Sequence, residues 1–331
     1  MKKVLILGGT QFIGRNLVDR LQKVGHYHLT LFNRGLTRSD LFPKLRKILG
    51  DRDTDAIRQI SSEHWDFVID LSCYFPDSLS RVLESLQEPP EKYIFISTCS
   101  VYDNSGPPVM LRNEDAATLS CDDRQRNDPG PGSYGHRKAA CEQILQDGGL
   151  DHVILRPALV YGPYDHTDRF YYWLHQVRSQ STLLLPDQGE RKFSLTYVTD
   201  LVEAICQAMT IRTASTTFNV ISQPQASIGQ IVEVAQQLLA RRNELLNASP
   251  DFLHDSGKRP WVDIPLWLDS DRFTYANERL LNELQIQPTE LRRGMQATVE
   301  YYRSLHWPDP TYGITAEDRQ ALLNKLKAQG D

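Results

Sequence analysis

Short apolar runs punctuate the first 160 residues, with helically spaced stretches between them. Val4, Leu5, Ile6 and Leu7 make the first run, which ends in glycines. Phe12, Ile13, Leu17, Val18 and Leu21 then recur at intervals that place them on one side of a helix. Further apolar runs occupy 28–32, 46–49, 67–71, 93–97 and 152–155. They are β-branched or aromatic and nearly continuous, as strands buried on both faces of a parallel sheet must be. Helical spacers between parallel strands imply right-handed crossovers. The pattern predicts an α/β fold over residues 1–160, a doubly wound parallel sheet of the Rossmann kind.

The second half reads differently. Helical patterns recur at 228–239, 279–284, 291–302 and 315–327, the last with Thr315 as N-cap. They predict a smaller, mainly helical lobe over 161–331, with about 193–221 returning to the sheet. One stretch, 103–132, is rich in Pro and Gly and has no clear period. About thirty such residues are unusual inside a compact domain, and they read as a lid over a site.

Composition narrows the function classes. The chain has 331 residues, 40% of them hydrophobic, and 37 Lys+Arg against 42 Asp+Glu, a net charge of −5. A negative chain is not built to neutralise phosphates, which disfavours nucleic acid as a partner. No apolar run reaches the roughly 18 residues of a membrane span. The N-terminal apolar run is too short for a signal peptide. Five cysteines, an odd number without CxxC spacing, read as reduced thiols of a cytoplasmic protein. His26 and His28 could pair on a metal, but no third ligand is evident, so no metal site is expected.

The candidate chemistry begins at Gly8-Gly9-Thr10-Gln11-Phe12-Ile13-Gly14, between a strand and a helix. Glycines let the chain turn sharply and let a pyrophosphate reach the amides at the helix start. The second strand ends in Asn33-Arg34, where an Asp or Glu would hold the ribose hydroxyls of NAD. A neutral residue followed by a guanidinium suits a 2′-phosphate, so NADP is expected over NAD. Asp51 ends the third strand and suits an adenine amino group or, equally, a helix cap.

Tyr134 and Lys138 stand four apart on a predicted helix and share one face. A neighbouring ammonium lowers a phenol's pKa, and such a pair can move a proton at a carbinol or carbonyl carbon. Thr98 ends the strand before them, where ligands bind in sheets of this kind.

Taken in order, GGTQFIG at 8–14, ISTCSVY at 96–102, YGHRK at 134–138 and LRPALVYGP at 155–163 resemble the short-chain dehydrogenase/reductase superfamily, in its extended NAD-dependent epimerase/dehydratase type. The resemblance implies that Thr98, Tyr134 and Lys138 are catalytic, with Tyr134 as acid/base and Lys138 on the nicotinamide ribose. It implies a cofactor held by Gly8, Thr10, Gln11, Phe12, Ile13, Asn33, Arg34, Asp51, Arg52, Leu71, Ser72, Pro157 and Val160. A nucleotide-linked sugar would lie in the C-terminal lobe, and a homodimer is common among such proteins. Arg191 and Arg259 are its candidate phosphate ligands, by charge and position. Cys99 and Ser100 follow Thr98 where sugar dehydratases usually place Asp-Glu, which argues against water elimination. Gln11 replaces the middle glycine of the motif, as in an atypical subgroup that includes relatives of chloroplast stem-loop RNA-binding proteins. The residues leave open epimerase or dehydrogenase, reduction of a non-sugar carbonyl, or RNA binding on a vestigial cofactor site.

Overall fold

A computed structural model describes residues 1–212 and 215–330; residues 213–214, within the 193–221 stretch, and residue 331 lie outside the described residues. The strands of the first half are β1 (Lys2–Leu7), β2 (Tyr27–Asn33), β3 (Arg46–Leu49), β4 (Phe67–Asp70), β5 (Lys92–Ile96) and β6 (His152–Pro157). After them come β7 (Leu159–Tyr161), β8 (Thr182–Pro186), β9 (Phe193–Tyr197), β10 (Thr216–Val220), β11 (Gln223–Ala226) and β12 (Glu244–Ala248). The helices are α1 (Phe12–Val24), α2 (Pro76–Glu84), α3 (Asp123–Asn127), α4 (Tyr134–Asp147), α5 (Arg169–Ser179) and α6 (Val198–Ala208). The C-terminal ones are α7 (Ile228–Leu239), α8 (Pro250–Asp255), α9 (Glu278–Asn282), α10 (Leu291–Ser304) and α11 (Ala316–Gly330).

Seven strands make the central sheet, in the order β10-β6-β5-β4-β1-β2-β3, and every pair is parallel. Its apolar runs are buried on both faces, as their lack of alternation requires: Val4, Leu5 and Ile6 are fully buried. One face is covered by α1, α6 and α9 through Leu17, Leu21, Leu201, Ile205 and Leu280. The other is covered by α2 and α4 through Leu79, Val82, Cys141 and Leu145. Strand order reverses at β1, which has β2 on one side and β4 on the other. A crevice opens beyond the carboxyl ends of strands at such a reversal.

A second core gathers around Phe170, Trp173, Phe193, Ile231 and Trp267. It is mainly helical but also holds a three-stranded sheet, β11-β9-β7, and a pair, β12-β8. Of the stretch expected to return to the sheet, β10 does so and α6 covers the sheet's face, while β9 joins the three-stranded sheet. Thr315 caps α11 as predicted, its Oγ1 accepting from the Asp318 amide at 3.1 Å.

The lid expectation for 103–132 fails over its middle. Arg112 and Glu114 are buried, and Arg112 bridges to Tyr275. The Glu114 carboxylate accepts from the Asn219 amide at 2.7 Å, and Asn219 Nδ2 donates to the Arg112 carbonyl at 3.0 Å. Buried polar contacts of this kind pin a segment, because opening it would strand every partner. The segment ties the sheet to the C-terminal lobe.

Candidate active site

Four turns at the sheet's carboxyl edge enclose a cleft of about 360 Å³. The first is the glycine turn. Gly9 has φ +99°, open to few side chains, and a Cβ on Gly14 would stand 2.6 Å from the Gly9 Cα. α1 therefore starts hard against the turn, with no acidic residue in its first turn and no side-chain cap. Its first amides are left for an anion. Gln11 sits in extended backbone at φ −131°, which needs no glycine, and its exposed side chain lines the cleft. This cradle fits a dinucleotide's pyrophosphate.

The other turns follow β2, β3 and β4. Asn33 braces its own turn: Oδ1 accepts from the Gly35 amide at 2.9 Å, and Nδ2 donates to the Gly8 carbonyl at 3.4 Å. Arg34 is exposed at the mouth. Asp51 lines the cleft and accepts from the Asp53 amide at 3.0 Å. Arg52 also lines it, but its guanidinium is spent on the fully buried Asp70 through bonds of 2.9 and 2.7 Å. The Tyr93 hydroxyl donates to the same carboxylate at 2.9 Å. Burial pushes the Asp70 carboxyl up, but Arg52 and Tyr93 outweigh it and hold it below the usual range. Asp70 in turn accepts from the Ser72 amide at 3.2 Å, so this buried group braces the cleft floor at Leu71-Ser72. Arg52 thus acts on the cleft through Asp70. Pro157 and Val160, expected at the nicotinamide, lie on β6 and β7 outside the residues lining this cleft.

Beside the cleft stands the predicted trio. Thr98 follows β5, and its Oγ1 accepts from the Ser100 amide at 3.1 Å. Tyr134 starts α4, and its hydroxyl comes near enough to Thr98 for that side chain to favour the phenolate. The close approach depends on Gly135, where a Cβ would run into the Ser100 carbonyl oxygen. Lys138, 2% exposed, donates to the Cys73 and Ile96 carbonyls at 2.8 and 2.6 Å and lies over the Phe95 ring. It fastens α4 to the ends of β4 and β5. The expected lowering of Tyr134 is not what results: burial raises its pKa and outweighs the opposing pull of Thr98, Arg137 and Arg169.

One carboxylate holds the trio's two supports together. Glu142, on α4, accepts from Ser97 and from Arg156, the latter at 2.5 Å. Sequence reasoning missed it, and it missed Tyr74, whose ring lies 6.3 Å from that of Tyr134. Neither has a local signature. It also placed Arg191 and Arg259 on substrate phosphate, but both have carboxylate partners. Arg191 pairs with Asp187 and Asp271, each at 3.0 Å, and the exposed Arg259 pairs with Asp263 at 3.1 Å. Charge and position no longer single them out. Among the described residues no group of three His, Cys, Asp or Glu could hold a metal ion, and no helix is long and apolar enough to cross a membrane.

Residues 4–220 match the model of the NAD dependent epimerase/dehydratase family. The chain belongs to that family. Among relatives of this epimerase/dehydratase-family chain is the Chloroplast stem-loop binding protein of 41 kDa b of Arabidopsis thaliana, 29% identical over 63% of the chain and 55% of the relative. The chain thus spans about half the length of that relative. Another is the "Uncharacterized UDP-glucose epimerase YtcB" of Bacillus subtilis, 23% identical over 85% of the chain and 96% of the relative. A solved structure, UDP-Glucuronic acid 4-epimerase from Bacillus cereus in complex with NAD, shares the fold with a TM-score of 0.69. It is 20% identical, over 92% of this chain and 100% of that one. These findings overturn the expected preference for NADP: the family is NAD dependent, and this neighbour was crystallised with NAD. The physical reason lies at β2. Arg34 is exposed, where solvent weakens a charge-assisted contact, and Asn33 is occupied with backbone.

Proposed function

We propose that the protein is an NAD-dependent nucleotide-sugar epimerase, with Tyr134 as its acid/base. The observation that carries this reading is the convergence of Thr98, Tyr134 and Lys138, from different elements, beside a glycine cradle whose lining includes Tyr74, 6.3 Å from the Tyr134 ring. The cleft's glycine turn would hold the pyrophosphate, and Asp51 stands where an adenine would lie. NAD supplies a hydride acceptor that can return the hydride. Tyr134 takes the carbinol proton as the hydride leaves and gives it back when the ketone is reduced from the other face. Thr98 orients the reacting oxygen through its hydroxyl. Lys138 holds α4 against β4 and β5 so that the phenol keeps its place. Burial favours the protonated phenol, so Tyr134 must first give its proton to solvent before it can take one from the carbinol. The names of the Bacillus relatives support a UDP-sugar as substrate.

The test is turnover of UDP-glucose and UDP-glucuronic acid by the NAD-loaded protein, followed by NMR of the sugar. Tyr134→Phe should lower kcat by about 10²–10⁴ while NAD affinity holds. Unchanged turnover would refute the mechanism. A second reading, stem-loop RNA binding, is favoured by the name of the Arabidopsis relative and opposed by the net charge of −5. RNA retention that falls steeply with salt, in a protein that binds no NAD, would reverse the ranking.

A further inference from the structure

Residues 7–78 supply the lining of the cofactor cleft with one exception among the described residues, His166. It lies between β7 and α5, on the segment that leads into the second core. That segment is pinned against the first turns of α1. Asn16 Nδ2 donates to the Pro163 carbonyl at 3.1 Å, and the Arg15 guanidinium lies 3.7 Å from the centre of the Tyr164 ring. From the other side the Tyr302 hydroxyl, on α10, donates to the Asp165 carbonyl at 2.9 Å. Asp165 Oδ1 accepts from the Thr167 amide and hydroxyl, each at 2.8 Å. The imidazole of His166 is thereby set edge-on to Phe12, the first residue of α1, with ring centres 6.2 Å apart.

Two observations give this imidazole a ligand. It is exposed at the cleft, and among the described residues neither ring nitrogen has a hydrogen-bond partner. It also stands beside the amides that open α1, which have no side-chain cap and no acidic residue near them. A pyrophosphate held by those amides turns some of its charged oxygens away from the glycine turn, and these need donors of their own. A ring nitrogen on the facing segment is such a donor. The charges around the ring are few. Desolvation of its inward side and then Arg169 favour the neutral form and outweigh Asp168. From the sheet side it meets the uncharged Phe12, and the charged residues of the cleft are Arg34, Asp51, Asp53 and the Arg52 that Asp70 holds. An arriving diphosphate favours the imidazolium, so NAD should bind more tightly as pH falls through the range of the ring and should draw in a proton as it binds.

We propose that His166 is a cofactor ligand, reaching from the second lobe to donate to the pyrophosphate of NAD and clasping it against the glycine turn. This rests on the reading of the cleft as an NAD site. The test is calorimetric titration of the full chain with NAD, ADP and adenosine, for the unmodified protein, His166→Phe and His166→Ala. Phe keeps a ring against Phe12 but has no donor, so it separates hydrogen bonding from packing. Both variants should weaken NAD and ADP about ten- to a hundredfold, as loss of a charged hydrogen bond does, and leave adenosine, which carries no phosphate, within about twofold. The unmodified protein should bind NAD more tightly at about pH 5.5 than at about pH 8, and both variants should lose that slope. Asp165→Asn, which removes the neighbouring carboxyl raised to about 6, should keep it. NAD affinity within about twofold of the unmodified protein in His166→Phe overturns the proposal, and if that variant does not fold, the same result in His166→Ala does so. An equal loss for adenosine overturns it too, since the ring would then only shape the cleft. If the unmodified protein binds no NAD, the cofactor reading fails first and takes this proposal with it.

Discussion

Gly14→Ala puts the cofactor cradle under direct strain. The new Cβ would lie 2.6 Å from the Gly9 Cα and 2.7 Å from its nitrogen. Carbon atoms in contact prefer about 3.5–4.0 Å, so α1 or the glycine turn must move by roughly 1 Å. Backbone lies on both sides of the clash, and no rotamer can relieve it. Overpacking of this kind costs about 1–3 kcal/mol. Replacing glycine by alanine inside a helix returns about 1 kcal/mol. The net loss, about 0–2 kcal/mol, should lower Tm by at most several degrees, at about 2–4 °C per kcal/mol for a chain of this size class. The effect on NAD should be larger than the effect on folding. The displaced amides are those that face the pyrophosphate, so affinity should fall at least about tenfold. Thermal unfolding and calorimetric NAD titration read the two effects separately. Gly132→Ala is the control, since a Cβ there meets nothing within 4 Å. If Gly14→Ala keeps both the Tm and the NAD affinity of the unmodified protein, the close approach is not what shapes the cradle.

Two further expectations concern buried carboxylates. Asp70→Asn strips the charge from a group that Arg52 and Tyr93 hold at 2.7–2.9 Å, leaving the Arg52 guanidinium unpaired. Breaking such a pair costs about 3–5 kcal/mol, which urea unfolding should register together with weaker NAD binding as Leu71-Ser72 loosens; a loss under about 1 kcal/mol would contradict it. Asp165 is the opposite case. Burial raises its carboxyl from 3.8 to about 6, against the pull of Thr167. The folded state therefore holds the extra proton between these values, and stability falls as pH rises from about 4 to about 6, then levels off. The full effect of the roughly two-unit shift is about 3 kcal/mol. Asp165→Asn should flatten that slope in a Tm-against-pH series, and an unchanged slope would discount Asp165.

The parts of the cleft that were legible are local. Strand runs announce themselves because a strand buried on both faces has no polar alternation, and β1, β2, β4, β5 and β6 fall where the runs lie. The glycine turn is legible because it needs a strand before it and a helix after it, a context only residues apart. Tyr134 and Lys138 could be paired because four residues bring side chains to one helix face. The spacing says nothing of where each head group points, and Lys138 turned to two carbonyls while burial raised Tyr134. The stretch 103–132 misled for the same reason: it has no period, and its anchors are Asn219 and Tyr275, a hundred or more positions away.

The chain by itself determined the sheet and the glycine turn, since each follows from periodicity or from neighbours within a turn or two, while the trio was named by its resemblance to a family. Tertiary structure decided which charges are free. Asp70 claims Arg52, Asp187 and Asp271 claim Arg191, and Asp263 claims Arg259. A charge is cancelled by whatever the fold brings within a few ångströms, and most of those partners lie far off in sequence, where no local pattern records them.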